Sequence, residues 1–438
     1  MGNKPSFHQV VTAHARWLEG EKEDAERADF SGADLTGAQL SSRDLREANL
    51  AGADLSKARM SNIDLRRANL ERATLSEADL RHAKLSAANL SHSNLYRAIL
   101  SSADLSYADL SRAALTEAEM QASSFRKANL REASLLSAKL AEADLIGATL
   151  ASVDAARADF SNAILLGADL TRACLVEANL TQANLTEANL SHASLHKAVF
   201  ERASLHLASL KRANLVLANL RGANLTRANL SGADLGSAEL WGANLTGAIL
   251  EKAKLDGAIL TGANLDGAVL EGANLRGCFF WKASLRKAIL KDADLRGADL
   301  READLTGADL RYAAMVDTDL NGAQGLLDPI DYLDANFEST PDGILAYGVF
   351  DECQQAPDPW KIQPGAVLSR FVSTDRAMPF APGIQLATLD WTEANRDTRC
   401  GIWKVLIRWS WLPGVVVPYN SEGYIRCARA ELVEKLLA

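Results

Sequence analysis

The sequence predicts a mainly-β fold in which residues 26–325 wind into one coil of stacked short strands, a parallel β-helix. Two observations carry this. From Phe30 onward a large apolar residue falls on nearly every fifth position, as at Leu35, Leu40, Leu45, Leu50, Leu55, Met60 and Leu65, and the register holds to Leu320. Two positions before it stands a small residue, as at Ala33, Ala38, Ala48, Ala53 and Ala58, usually with Asp or Asn between. The span is sixty five-residue units without insertion or deletion.

A period of five matches neither a helix, at about 3.6, nor a strand, at about 2. It is natural if each unit forms one short side of a coil and then turns a corner. The Leu and the Ala point inward, and the remaining, mostly polar residues face water. Stacked coils then pair their backbones as a parallel ladder with steps of about 4.8 Å.

Units of the form Ala-(Asp/Asn)-Leu-x-x resemble the pentapeptide-repeat family, over about two-thirds of the chain. The resemblance implies a right-handed quadrilateral β-helix with four units per coil. That makes fifteen coils and a rod of roughly 67 Å. Departures from the pattern are read as packing. Val153 and Ala155 exchange volume within one unit. Arg43 and Ile63 occupy the small inward site one coil apart, and Arg43 is expected to turn outward or meet the cap. Ser93, Ser123, Cys278 and Thr318 are small enough to fit, and Cys174 and Cys278 are taken as wall or packing residues.

An uncovered coil end invites aggregation. Residues 1–25 are read as the N-terminal cover. Ser6 and Gln9 form a capping-box pattern, and Phe7, Val10, Val11, His14, Trp17 and Leu18 recur at helical spacing until Gly20. The stretch from His14 to Gly20, leading into Arg27-Ala28-Asp29, resembles the head segment of bacterial repeat proteins of this kind. Residues 326–438 differ in composition and hold five of the eight Trp. They predict an α+β domain, with strands at Ile344–Phe350, Val367–Val372, Ile402–Trp411, Val415–Val417 and Tyr424–Ala430, and helices at about 385–394 and 431–437. The residues around Trp360, Gly383–Trp391 and Val416–Arg426 resemble an uncharacterised module that follows such repeats in bacterial and phage proteins. No activity comes with it.

The search for chemistry returns little. All seven histidines lie at or before His206, so residues 326–438 hold none, which removes Cys–His and Ser–His designs there. No histidine cluster or phosphate-binding glycine loop is present, and no catalytic, cofactor-binding or metal-binding residue is assigned. The five cysteines lack metal-like or disulfide-like spacing, which suits a reducing cytoplasm. No apolar run is long enough to span a bilayer, and no signal peptide follows Met1. Met1-Gly2 with Ser6 fits a myristoylation pattern, but Pro5 and Ser6 read more simply as a helix start.

Some family members are acidic rods that mimic DNA and protect type II topoisomerases. The charge here argues against that role. The chain carries −9, but the repeat holds 34 basic and 37 acidic residues, whereas a duplex of that length carries about 40 negative charges. Arg81, Arg202, Arg221 and Arg301 interrupt the acidic side chains along single faces. Nucleic acid is therefore not the expected partner, either mimicked or bound.

Outward apolar residues point instead to a protein partner or a homodimer. Leu136, Val176, Val216 and Leu217 lie on one side, with Ile146, Ile164, Leu166 and Leu207 on the opposite one. Ile249, Val269 and Ile289 recur every twenty residues as a stripe on which residues 326–438 are expected to dock. The rival side bears Ile259, Phe279 and Trp281, with Trp241 further along. The sequence thus reads as a non-enzymatic scaffold or interaction rod that presents its C-terminal domain to protein partners. The alternatives are a topoisomerase-protecting mimic and a small enzyme or toxin delivered by the rod.

Overall fold

A five-residue unit must find a partner for each backbone N–H, and the unit that begins at Leu190 does this completely. In the unit running from Leu190 to Ser194, Leu190 and His192 donate to the carbonyls of Ser209 and Lys211 on the next coil, at 2.7 and 2.9 Å. Ser194 donates back to Ala173 at 2.9 Å, and Ala193 closes the turn onto Leu190 at 3.0 Å. The fifth donor, Ser191 N–H, bonds the Asn189 side-chain oxygen at 3.1 Å. An unpaired buried amide is costly, so Asp or Asn before the large apolar residue supplies an acceptor that the backbone lacks. The corner residue, at numbers ending in 2 or 7, sits at positive φ, for example +61° at His192 and +57° at Leu207.

The computed structural model describes residues 7–20, 26–326, 329–350, 362–370, 376, 383–396, 400–418, 421 and 423–437. These form two compact units: one running up to Val269 with Cys278–Ser284, the other made of Leu270–Gly277 and the chain from Leu285 onward. Five-residue units occur in both.

In the first unit, residues twenty apart pair as parallel bridges, from Asp29 with Asn49 to Asn264 with Ser284. Four units therefore make a coil. Beyond the first coil the inward positions are sealed, as at Leu190, Phe160 and Ala188, whereas Ala33, Leu35 and Ala38 are half-buried. Val153 and Ala155 are buried as a pair, and Ile63 fills its inward site, while Arg43 is exposed. Helix α1, Phe7–Leu18, precedes the coils. Its His14 is fully buried, stacks on Trp17 with ring centroids 5.7 Å apart, and accepts the Ala28 N–H at Nδ1 (3.0 Å). A helix side chain thus closes a donor at the start of the first coil. Ser6 of the expected capping box, and the Met1–Ser6 pattern as a whole, lie outside the described residues.

In the second unit the bridges continue, from Asn274 with Asp294 to Asp304 with Gln324. Gly325 follows at φ +71°, and a Cβ there would stand 2.2 Å from the Thr306 backbone nitrogen, so only glycine fits where the repeat stops. Next come helix α2, Pro329–Asn336, and strands β1, Glu338–Thr340, β2, Gly343–Gly348, β3, Val367–Ser369, and β4, Ile384–Ala387. Helix α3, Leu389–Asn395, leads to β5, Ile402–Arg408, a 3-10 turn at Trp409–Gly414, β6, Val415–Val416, β7, Tyr424–Cys427, and β8, Arg429–Leu437. The strands form one antiparallel sheet in the order β3-β8-β5-β2-β4-β7-β6, with β1 also on β2. Ile344, Ala346, Trp403, Val405, Ile407, Ile425 and Leu432 belong to its core.

Three expectations are corrected. Residues 431–437 are strand β8 and not a helix. Ala430 and Leu432 alternate into the core while Glu431 reaches across to Arg408 at 2.6 Å, so cross-strand pairing outweighs the helical spacing of the leucines. The helix expected from residue 385 starts only at Leu389, because Ile384–Ala387 pair with β7. Cys400 is disulfide-bonded, so the cysteines are not uniformly free thiols.

Candidate functional site

The exposed surface of the coils is decided by position within the unit. The residue after the inward Leu is tucked beside the corner, and the corner residue stands out. Leu136, Val176, Val216, Ile146 and Leu166 occupy the tucked position and are half-buried. Leu217 and Leu207, at corners, are exposed, as is Ile164. Ile249 and Val269 are half-buried bridge partners in the first unit. Ile289 belongs to the second unit, pairs with Asp309 and is 37 % exposed.

Larger apolar groups stand out elsewhere. Trp241, Phe279, Trp281 and Ile259 are 54, 48, 41 and 38 % exposed, all on one face of the first unit. Ile259 and Phe279 are bridge partners on adjacent coils. Trp241 and Trp281 lie in one column with Thr261 between them, two coil steps or roughly 10 Å apart. Gly222, Gly242 and Gly262 occupy the corners up to and including the one beside Thr261, and Lys282 occupies the corner beside Trp281. The Arg221 guanidinium lies 5.5 Å from the Trp241 ring centroid, and the Lys282 ammonium 4.5 Å from that of Trp281. Arg221 also faces Glu239 at 3.7 Å. The outward aromatics were legible in the sequence, but the cations against the rings were not. Arg221 and Trp241 are twenty residues apart, and only coil stacking makes them neighbours.

Many charges on the rest of the repeat are paired locally. In each Asp-Leu-Arg unit the arginine folds back on the aspartate, as at Arg81–Asp79 (2.7 Å), Arg66–Asp64 (2.6 Å) and Arg301–Asp299 (2.6 Å). The arginine hydrogen bond holds the carboxyls of Asp79, Asp299 and Asp309 below their ordinary range. Other pairs bridge coils, as at Arg97–Glu117 (2.7 Å) and Arg112–Glu132 (2.9 Å). Among the described residues no group of His, Cys, Asp and Glu is placed to hold a metal, and no helix is long and apolar enough to cross a membrane. Cys278 is buried and donates to the Leu255 carbonyl, and burial pushes its thiol up to about 12, as it does that of Cys427. Neither thiol is a nucleophile at neutral pH.

The family model for pentapeptide repeats matches residues 26–101 and 108–323 in overlapping copies, about two-thirds of the chain. A search of curated proteins found no match. Among solved structures, HetL, a pentapeptide repeat protein involved in heterocyst differentiation regulation from the cyanobacterium Nostoc, is 33 % identical over 58 % of this chain and 90 % of its own, at a TM-score of 0.16. A pentapeptide repeat protein of the Arabidopsis thaliana thylakoid lumen is 31 % identical over 22 % of this chain and 68 % of its own, at 0.22. QnrB1, a plasmid-mediated fluoroquinolone resistance protein, is 22 % identical over 43 % of this chain and 92 % of its own, at 0.19. The assignment rests on the repeat and not on these superpositions: from residue 26 to 323 the chain belongs to the pentapeptide-repeat family.

Proposed function

We propose that the repeat is a non-enzymatic interaction rod whose contact face is the patch formed by Trp241, Ile259, Phe279 and Trp281. One observation carries the reading: four large apolar side chains stand 38–54 % exposed together on one face. Such a patch marks a protein-binding surface, and aromatic anchors dominate interface energetics. Arg221 and Lys282 at its edge favour a partner with acidic groups around an apolar centre. We take the coils as right-handed and fifteen in number over residues 26–325, and residues 326–438 as a C-terminal domain that the rod presents. The twenty-residue bridge spacing supports four units per coil. The cytoplasmic reading loses its support from the cysteines, since Cys400 is bonded.

The test uses the full chain and its Trp241→Asp/Trp281→Asp variant as baits, with circular dichroism confirming that both are folded. A protein held by the wild type and released by the variant, and then bound in purified form, supports the reading. Light scattering identifies that partner as a second copy if the wild type is a homodimer and the variant a monomer. Equal retention by both baits overturns the assignment.

A further inference from the structure

The second unit contains a cleft of about 220 Å³ between α3 and one face of the sheet. Its floor is a cross-strand row. Ala387 of β4 pairs with Tyr347 of β2 on one side and with Tyr424 of β7 on the other. A small residue between two tyrosines leaves the hollow. The Trp391 ring stands 5.5 Å from that of Tyr424, tilted by 42°, and completes an aromatic wall. Helix α3 is fixed beside the sheet by Thr388, whose side chain caps Trp391 N–H at 3.3 Å and whose backbone N–H donates to the Gly423 carbonyl at 2.7 Å. The buried Thr392 hydroxyl is turned onto the Thr388 carbonyl at 2.9 Å.

The polar groups at this cleft are few. Gln385 and Asn395 contribute carboxamides, and Arg396 contributes a guanidinium, tied on one side to the Cys400 carbonyl. Among the described residues no carboxylate, imidazole or thiol lines the cleft. Among the described lining residues the one formal charge is the Arg396 guanidinium, and the remaining surface is largely apolar and aromatic. The volume lies below the roughly 300 Å³ at which drug-sized pockets begin, which limits the occupant to about one ring.

We propose that this cleft binds a small planar organic anion. Its ring packs between Tyr347, Trp391 and Tyr424, and its carboxylate is held by Arg396. Aromatic rings favour offset or edge contacts with a second ring, and a guanidinium pairs a carboxylate through two parallel N–H···O bonds. Gln385 and Asn395 add donors at the polar end.

The experiment is calorimetric titration of the full chain with phenylacetate and, separately, with phenylacetamide. Phenylacetate is expected to bind with a Kd of about millimolar or tighter, given ten heavy atoms at ordinary ligand efficiency. Arg396→Gln should weaken it by at least about tenfold, and Ala387→Leu, which fills the hollow, should abolish it. Thermal unfolding of both variants shows whether the fold persists, and Arg396→Gln decides the matter if Ala387→Leu does not fold. Absence of phenylacetate binding overturns the proposal, as does equal affinity for phenylacetamide. Binding unchanged in both folded variants places the ligand elsewhere and also overturns it.

Discussion

At the scale of single residues, the same side-chain types do different work according to their place in the unit. Leucines ending in 0 or 5 fill the axis. Leu190→Ala should cost roughly 2–5 kcal/mol in denaturant unfolding, because stacked coils cannot collapse into the cavity. The exposed corner change Glu187→Ala should cost under about 0.5 kcal/mol. Equal costs would show that the inward assignment is wrong. His14 is the residue whose role the sequence concealed. It recurs with apolar residues and was expected only to pack, yet its Nδ1 accepts the Ala28 N–H. Burial lowers its pKa from 6.5, against the pull of Asp44 and the Arg46 carbonyl, with the Arg46 and Arg27 guanidinium groups lowering it further. A folded pKa below the unfolded one contributes stability that is present above about 6.5 and is lost as pH falls. Hydrogen exchange at the Ala28 amide, corrected for intrinsic rate, should therefore show protection at pH 8 that declines below pH 6.5. In His14→Phe that amide should be unprotected throughout. Protection independent of pH in the wild type would remove the imidazole from the cap.

At the scale of elements, the C-terminal sheet depends on contacts between distant segments. Tyr332 of α2 accepts the buried Gly423 N–H at 2.6 Å and bonds Ser421 Oγ at 2.9 Å. Tyr332→Phe leaves that amide unpaired and should cost about 1–3 kcal/mol. The amide of Gly423 should then exchange faster, whereas a purely apolar role for the ring predicts no change. Gly343 is also constrained, since a Cβ on it would stand 2.1 Å from the Ile407 carbonyl oxygen. Gly343→Ala should push β2 from β5 and lower the melting temperature.

At the scale of the whole molecule, charge decides between the interaction rod and the nucleic-acid mimic. A mimic must present uncompensated negative charge along its surface. Here many carboxylates are answered by a cation, within the unit as Asp79 is by Arg81, or from an adjacent coil as Glu117 is by Arg97. Purified protein at micromolar concentration should neither inhibit supercoiling by a type II topoisomerase nor protect it from a quinolone. Potent inhibition that weakens with added salt would promote the mimic above the interaction rod.

The five-residue coil was legible because a one-dimensional repeat writes its packing into the sequence. Each coil meets only its neighbours, so Leu35 and Leu320 face the same demand and keep the same register. The breaks at Gly20 and Gly325 were legible for the same reason, as departures from the period. The roles of His14 and Arg221 were not, since each is defined by a hydrogen bond from the cap or a ring contact across the stack. The end of the chain lay further still from what periodicity can show. Glu431–Leu437 carries helical spacing, but the strand wins through Arg408 and the core beneath Leu432. The cleft on β4 exists only because Ala387 falls between Tyr347 and Tyr424 in a register set by three strands. Local pattern determined the coil, where every contact repeats at a fixed offset. The tertiary structure decided the cap and the cleft, where contacts join residues that no period relates.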